Sequence, residues 1–113
     1  GSKAVDLSYS DSENSKYGAT GNNSLASGYQ TKASGTYSTA MGNNTKAEAM
    51  NSIAMGNNTT AYAMNSTAIG TNSTASAFNS MAMGTGSTAS AAYSMAMGLN
   101  TIASGTYSTA MGV

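Results

Sequence analysis

The chain lacks cysteine, proline, tryptophan and histidine, and only 7% of its residues are charged. Without cysteine there is no disulfide framework. Without histidine and cysteine, the commonest metal ligands and nucleophile–base pairs are also missing. The four carboxylates all precede residue 49, which leaves no credible acid–base pair or metal cluster. We therefore predict a protein that has no catalytic residues, no metal site and no cofactor.

Charge is scarce and unevenly placed. All eight charged residues lie before residue 49, and the net charge is zero. A neutral chain offers no electrostatic surface for nucleic acid or for an anionic membrane, and no apolar run approaches the roughly 18 residues of a membrane span. We expect neither partner for this fragment. Gly1-Ser2 is typical of an expression remnant, and no signal peptide is visible, which favours a piece of a longer protein.

Glycine recurs every fourteen residues without a slip. The positions are Gly28, Gly42, Gly56, Gly70, Gly84, Gly98 and Gly112. Such a fixed period indicates a chain built from repeated structural units. We number each unit, or rung, from its serine, so that the first begins at Ser24 and its glycine is at position 5. Residues 24–113 then form seven rungs, the last incomplete, and residues 1–23 form a flank with a degenerate capping rung.

The rung predicts an all-β fold. Each copy contains glycine and turn-forming asparagine pairs, and small residues alternate with variable ones at the period of two that is typical of strands. Two strands of about five residues joined by two tight corners account for fourteen residues. Stacking these turns at about 4.8 Å gives a parallel β-roll, or β-solenoid.

Alternation assigns the small residues to the inside of the roll. Positions 1, 3 and 5 of the first strand are serine, alanine and glycine, and positions 8, 10 and 12 of the second strand are equally small. The predicted lumen alanines are Ala26, Ala40, Ala54, Ala68, Ala82, Ala96 and Ala110 in the first strand, and Ala33, Ala47, Ala61, Ala75, Ala89 and Ala103 in the second. A lumen this thin has no room for larger side chains.

The same alternation places the large apolar residues of the first strand outside. We call positions 2 and 4 the outer stripe. Its apolar members are Leu25, Met41, Ile53, Met55, Ile69, Met81, Met83, Met95, Met97 and Met111. A stripe over seven rungs exceeds the few hundred Å² of apolar patch that soluble monomers expose. The simplest cover is the same stripe on identical chains, so we expect an obligate homo-oligomer with this stripe as its interface.

The remaining outward positions supply candidate contacts for a partner. The second strand is mostly polar outside, with Lys32, Lys46, Thr60, Thr74 and Thr88 at position 9. Exposed aromatic and apolar groups on an uncharged surface often anchor protein interfaces. We expect a receptor contact among Met50, Thr60, Tyr62, Met64, Thr74 and Phe78. Position 13, which supplies Met50, Met64 and Phe78, could equally fill a seam between subunits. Stacked asparagines at 51, 65 and 79 are expected to form an amide ladder.

The run Asn-Ser-Ile-Ala-Met-Gly-Asn-Asn-Thr-Thr-Ala-Tyr-Ala at residues 51–63 resembles the head repeat of trimeric autotransporter adhesins, the YadA-like heads. Residues 65–77 and 79–91 resemble it too, and the likeness extends over residues 24–113. It implies a left-handed parallel β-roll, assembled as a homotrimer and held on the outer membrane of a Gram-negative bacterium by a stalk and anchor that this fragment lacks.

By the same resemblance, the function is attachment to host receptors or matrix proteins. Family heads bind such targets, and the receptors could include collagen, fibronectin or immunoglobulin-like receptors of the CEACAM group. Methionine dominates where the family more often has isoleucine, valine or leucine, and Tyr37, Tyr93 and Tyr107 replace the usual asparagine. Two alternatives stay open at this point, an ice-binding solenoid that uses a threonine ladder and a structural segment of a phage or surface fibre.

Overall fold

The structure, a computed structural model, describes residues 1–10 and 17–113 and is built from fifteen β-strands. The longer, odd-numbered strands are β1 (Val5–Tyr9), β3 (Leu25–Tyr29), β5 (Thr39–Asn43), β7 (Ile53–Asn57), β9 (Thr67–Thr71), β11 (Met81–Thr85), β13 (Met95–Leu99) and β15 (Thr109–Gly112). The shorter, even-numbered strands are β2 (Gly18–Ala19), β4 (Lys32–Ala33), β6 (Lys46–Ala47), β8 (Thr60–Ala61), β10 (Thr74–Ala75), β12 (Thr88–Ala89) and β14 (Ile102–Ala103).

The strands form two parallel sheets. The long strands make an eight-stranded sheet in the order β1-β3-β5-β7-β9-β11-β13-β15. The short strands make a seven-stranded sheet in the order β2-β4-β6-β8-β10-β12-β14. Register advances by one rung at each step, so that Ala54 pairs with Ala40 on one side and Ala68 on the other. The predicted all-β parallel solenoid of fourteen-residue rungs is therefore confirmed, in a body 38 Å long.

Alanine and hydroxyl side chains fill the space between the two sheets. The lumen alanines from Ala26 to Ala103 are at most 2% exposed, and only Ala110, in the last strand, is partly open. The position 1 serines are buried beside them from Ser24 to Ser94. Most of these serines donate to the carbonyl oxygen three residues earlier, as Ser52 Oγ does to Ala49 O at 2.6 Å. The hydroxyl group therefore closes the corner while it occupies the lumen.

The hydroxyl groups at position 8 differ in their hydrogen-bond partners. Ser73 Oγ donates to the Gly84 carbonyl at 2.8 Å, and Ser87 Oγ donates to the Gly98 carbonyl at 3.0 Å. The buried Oγ1 atoms of Thr31, Thr45 and Thr59 have no hydrogen-bond partner in the protein. At these three rungs the side chain acts mainly as a filler of the lumen, because a buried hydroxyl without a partner adds no hydrogen bond and carries a desolvation cost.

The glycines at position 5 serve a purpose different from the one expected. They do not line the lumen: their φ angles lie between +116° and +123°, and a Cβ at Gly84 would overlap the carbonyl oxygen of Gly98 in the next rung. The first strand ends in a backbone conformation that side chains rarely adopt, stacked too closely for any Cβ. Glycine is therefore required by the backbone and by rung stacking, and not by the width of the lumen.

Both corners turn through a residue in the left-handed region. Positions 7 and 14 have φ between +51° and +68°, and asparagine fills most of them because its short polar side chain tolerates this conformation. Because the second strand lies between these two corners, it is short: it has two residues in place of the expected five.

The amide ladder forms at corner one, which is position 7, and not at corner two, which is position 14. Asn44 Nδ2 donates to Asn58 Oδ1 at 2.9 Å, and Asn58 Nδ2 donates to Asn72 Oδ1 at 2.7 Å. The side chains of residues 51, 65 and 79 make no such ladder, so that prediction was wrong. The ladder ends at Gly86, which has no amide to continue it.

The N-terminal flank adds a rung of its own. β1 pairs with β3 through Val5 and Leu25, and Ala19 pairs with Ala33, so that residues 4–10 and 17–23 stack below the first repeat. Residues 11–16 lie outside the described part of the chain. Asp6 takes the place of a lumen alanine at this end. Burial raises its pKa, but hydrogen bonds from the Ser8 hydroxyl and amide and from the Ala19 amide outweigh this and hold the pKa of Asp6 below its usual value.

The first prediction tests the width of the lumen. Ala68 is fully buried between the sheets, so Ala68→Leu should lower the free energy of unfolding by about 1–3 kcal/mol or more through overpacking. The preceding residue gives a matched control. Thr67 points outward at position 2, where other rungs carry leucine, isoleucine or methionine, and Thr67→Leu should be tolerated. Denaturant unfolding at equal protomer concentration measures both variants, and equal losses would contradict a thin lumen.

The second prediction uses the break in the amide ladder. Gly86 has φ +68°, which asparagine accepts, and its missing side chain lies between Asn72 and Asn100. Gly86→Asn should extend the ladder once the Asn100 amide rotates away, and should raise the free energy of unfolding by about 0.5–1.5 kcal/mol.

The control for this variant is Gly84→Asn, two residues earlier. It places a Cβ against the Gly98 carbonyl at φ +120° and should lower the free energy of unfolding by more than about 2 kcal/mol. Thermal or denaturant unfolding of both proteins at one protomer concentration gives the comparison. A destabilised Gly86→Asn variant would show that the ladder contributes nothing.

Candidate functional site

Besides the polar corner one with its amide ladder, three surfaces face outward from the roll, and they differ in chemistry. The first is the outer stripe on the long-strand sheet. The second is the short-strand face, formed by positions 9 and 11. The third is the corner-two ridge, formed by the large side chains of positions 13 and 14. The lumen is filled by alanine and hydroxyl groups, so any binding by the described residues occurs on one of these surfaces.

The outer stripe is continuous along the long-strand sheet. In the strands from β3 to β13 its side chains are half-buried by their neighbours one rung above and below. Met83, for example, lies in register between Ile69 and Met97. At the N-terminal end Val5 and Leu7 of β1 extend the stripe by one more rung, and both are exposed. The repeat pattern begins at Ser24 and did not reveal these two residues.

The short-strand face is polar and changes along its length. Near the N-terminal end, Lys32 Nζ lies 3.6 Å from a carboxylate oxygen of Glu48, a solvent-accessible pair of little energetic weight. Further along, Thr60, Thr74 and Thr88 stack in register across β8, β10 and β12. No charged residue follows position 48. The face therefore passes from a charged end to a neutral one that offers hydroxyl groups.

Tyr62 is the one aromatic side chain on this neutral part of the short-strand face, which also carries the exposed Ile102 in β14. Tyr62 follows β8 at position 11 and is 53% exposed. The corresponding residues of the next two rungs are Ser76 and Ser90. An aromatic ring standing above hydroxyl groups combines apolar area with a polar tip, as tyrosines at protein interfaces commonly do.

The corner-two ridge is apolar and partly aromatic. Met50, Met64 and Phe78 are each 40–43% exposed at position 13 of successive rungs. The Phe78 ring meets the Tyr93 ring edge-to-face with centroids 5.7 Å apart, and Tyr93 stacks on Tyr107 at 5.0 Å. Tyr93 and Tyr107 were not among the expected contact residues. The signal that could have found them is that each tyrosine at position 14 follows a small residue at position 13.

The six expected contact residues thus fall into two groups. Thr60, Tyr62 and Thr74 share the short-strand face, where Thr60 and Thr74 are paired neighbours. The other three lie on the corner-two ridge, one per rung. The structure brings each group together along the roll axis, because residues fourteen apart stack directly, and it leaves the two groups on adjoining surfaces.

The described residues form neither a cluster of metal ligands nor a pocket. Within residues 1–10 and 17–113, no three acidic, histidine or cysteine side chains gather as a metal-binding group would. In the same residues no pocket forms. Nor does the described chain include a helix of the length and apolarity needed to cross a bilayer.

The protein is a parallel β-solenoid built from sequence repeats. Its rungs have fourteen residues, its strands form two parallel sheets, and an apolar stripe lies on its outside. Comparison with protein families matches the YadA head domain repeat (2 copies) to residues 19–45, 47–73, 75–101 and 89–113. These matches cover most of the chain, and the protein belongs to the YadA head family. Comparison with curated proteins finds no significant match. The family is one of surface-exposed autotransporter adhesins, and its head is a structural element and not an enzyme fold.

Proposed function

We propose that this chain is the non-enzymatic head of a trimeric adhesin, displayed on the outer membrane of a bacterium, that attaches the cell to a host receptor or matrix protein. The observation that carries the proposal is the family match over a solenoid whose chemistry lies entirely on its outer surfaces. A stalk and a membrane anchor would be supplied by other parts of the full-length protein.

The outer stripe supports the trimeric state. It runs along a body 38 Å long and consists mainly of methionine and isoleucine, with leucine, threonine and one serine, Ser27. Each methionine or isoleucine that becomes fully covered contributes roughly 1.5–3 kcal/mol. The lumen of the repeat region is filled by alanine, serine and threonine, so most large apolar groups gain further burial only against sister chains. We place the subunit interface on this stripe, from Leu25 to Met111.

The short-strand face is the proposed receptor surface. Tyr62 stands exposed on it, with Thr60 and Thr74 beside it in register. These groups offer one aromatic anchor surrounded by hydroxyl donors and acceptors, and they carry no charge. Three copies around a trimer would engage a multivalent target with gains from avidity. Met50, Met64 and Phe78 adjoin this face at the corner-two ridge and could extend the contact.

We take the proposed class of receptor from the family resemblance. Collagen, fibronectin and immunoglobulin-like receptors of the CEACAM type are the targets that the resemblance suggests. An uncharged face suits a receptor that presents apolar and hydrogen-bonding groups in place of a charged patch. The exposed ring of Tyr62 would insert among such groups, as aromatic anchors do at the centre of protein interfaces.

The third prediction tests the anchor. Purified head should bind at least one member of a panel made of collagen, fibronectin and immunoglobulin-like ectodomains, and Tyr62→Ala should weaken that binding about thirtyfold, the effect of a 2 kcal/mol hot spot. Surface plasmon resonance with immobilised panel proteins measures the change. Tyr9→Ala, at an exposed tyrosine of the N-terminal rung, is the matched control and should bind like the wild type. Unchanged binding by Tyr62→Ala would place the contact elsewhere.

The fourth prediction follows from the absence of charge after residue 48. Binding through the neutral part of the short-strand face should change less than about threefold between 50 and 500 mM salt, because screening acts on charges. The same salt titration of the Lys46→Ala variant measures how much the charged end of the face contributes to the salt dependence of binding. An affinity that falls steeply with salt in both proteins would contradict the proposed surface.

A further inference from the structure

Corner two carries one bulky apolar side chain in every complete rung. Where position 14 is asparagine, position 13 supplies the large group, and where position 14 is tyrosine, position 13 is threonine or alanine. The six residues, in rung order, are Tyr37, Met50, Met64, Phe78, Tyr93 and Tyr107. Two positions thus alternate to provide a single large group, which turns separate corner residues into one unbroken ridge.

The structure shows that side chains from the two positions occupy one line. Phe78 comes from position 13 and Tyr93 from position 14 of the next rung, yet their rings are in edge-to-face contact at 5.7 Å. Tyr93 then stacks on Tyr107 with an interplanar angle of 12°. The ridge therefore continues along the roll axis whichever position supplies its side chain.

The other corner is polar. Its surface carries the hydrogen-bonded amides of Asn44, Asn58 and Asn72, with asparagine or threonine at the neighbouring position 6 in the middle rungs. The short-strand face is mostly polar as well, and its two large uncharged side chains, Tyr62 and Ile102, are isolated from each other along the roll. In the repeat region, the ridge and the outer stripe are accordingly the two surfaces on which large apolar side chains recur rung after rung.

A threefold ring requires two different surfaces on each chain, because its contacts are heterologous: one patch of a subunit meets another patch of the next. We propose that the corner-two ridge of each chain packs onto the outer stripe of its neighbour. This inference rests on the proposed trimer and names the second half of its interface. The occupant of the ridge is therefore a second copy of this chain.

The position of the ridge and the area of the seam are consistent with this pairing. Corner two leads directly into the long strands, through the buried serine at position 1, so the ridge borders the stripe's own sheet where a neighbouring sheet must meet it. A seam 38 Å long and as wide as the 15 Å thickness of the roll would cover roughly 600 Å² of each partner, near the ~800 Å² of a typical specific interface. Both surfaces repeat with the same rung spacing, so side chains can interdigitate along the whole seam.

The pairing also fixes which surface remains open. With the ridge and the stripe covered, the short-strand face with Tyr62 and the amide ladder of corner one point away from the axis. The receptor contact would then depend on Tyr62, Thr60 and Thr74, and Met50, Met64 and Phe78 would belong to the seam.

Disulfide cross-linking tests the pairing in a chain without cysteine of its own. A disulfide requires Cα atoms about 4.4–6.8 Å apart, so it reports direct neighbours. Two double variants each place one cysteine on the ridge and one at position 4 of the stripe. They are Phe78→Cys/Ile69→Cys and Phe78→Cys/Met83→Cys, whose stripe cysteines lie one rung apart. The control, Thr85→Cys/Ile69→Cys, joins corner one to the same stripe. After mild oxidation, covalent trimers on a non-reducing gel are expected as the main species for at least one ridge variant, with loss of the monomer band.

The control pair should remain monomeric on that gel, although all variants sediment as trimers. Trimers cross-linked through corner one and not through the ridge would overturn the pairing and leave the trimer intact. Wild-type head that sediments as a folded monomer would instead refute the trimer itself, so the two failures are distinguishable.

Charge substitution gives an independent readout. Phe78→Glu should raise the trimer dissociation constant at least about tenfold, while Ser76→Glu on the short-strand face should leave it unchanged. Sedimentation velocity measures both, and circular dichroism confirms that each chain keeps its β-structure. If Phe78→Glu remains as trimeric as the control but loses receptor binding, the ridge is a receptor contact and the seam assignment is wrong.

Discussion

The thin space between the two sheets determines the rest of this molecule. Alanine from each sheet meets alanine from the other with almost no exposed surface, and interiors packed this closely do not accept additional methylene groups without strain. Every larger apolar side chain must therefore leave the lumen. Since the rungs stack in constant register, each excluded side chain joins a line of equivalents, and the outer stripe and the corner-two ridge arise from one steric cause.

A protein built in this way reverses the usual arrangement of a domain core. Its methionines and isoleucines lie outside the lumen, most of them half-buried by their rung neighbours, and only small groups are fully enclosed. The parallel ladders and the corner-one amides hold rungs to one another, while the apolar surfaces are left for association. In the proposed assembly, subunit contact supplies the burial that an ordinary domain obtains within one chain, and folding and trimer formation would be coupled.

The same separation leaves the proposed receptor surface on a hydrogen-bonded scaffold, apart from the proposed subunit contacts. Thr60 and Thr74 lie on paired strands, and Tyr62 follows β8 with its amide donating to the Ala75 carbonyl of the next rung, so little ordering is required when a partner binds. The charged residues lie toward the N-terminal end, and the neutral face beyond them offers shape and hydrogen bonds. A surface of this kind varies by single substitutions on an unchanged scaffold, which suits a function that depends on recognising a particular receptor.

Much of this organisation could be predicted from the chain alone. The fourteen-residue period and the alternation of small and large residues established the parallel solenoid, because both follow from strand geometry and steric size. The alternation rule was wrong at the position 5 glycines, since their φ near +120° and the close carbonyl of the next rung depend on backbone geometry. It also placed the amide ladder at the wrong corner and missed the contact of Phe78 with Tyr93. Those features required the folded chain, because they depend on the direction of side chains at left-handed corners and on distances between rungs, which a period in the sequence does not encode.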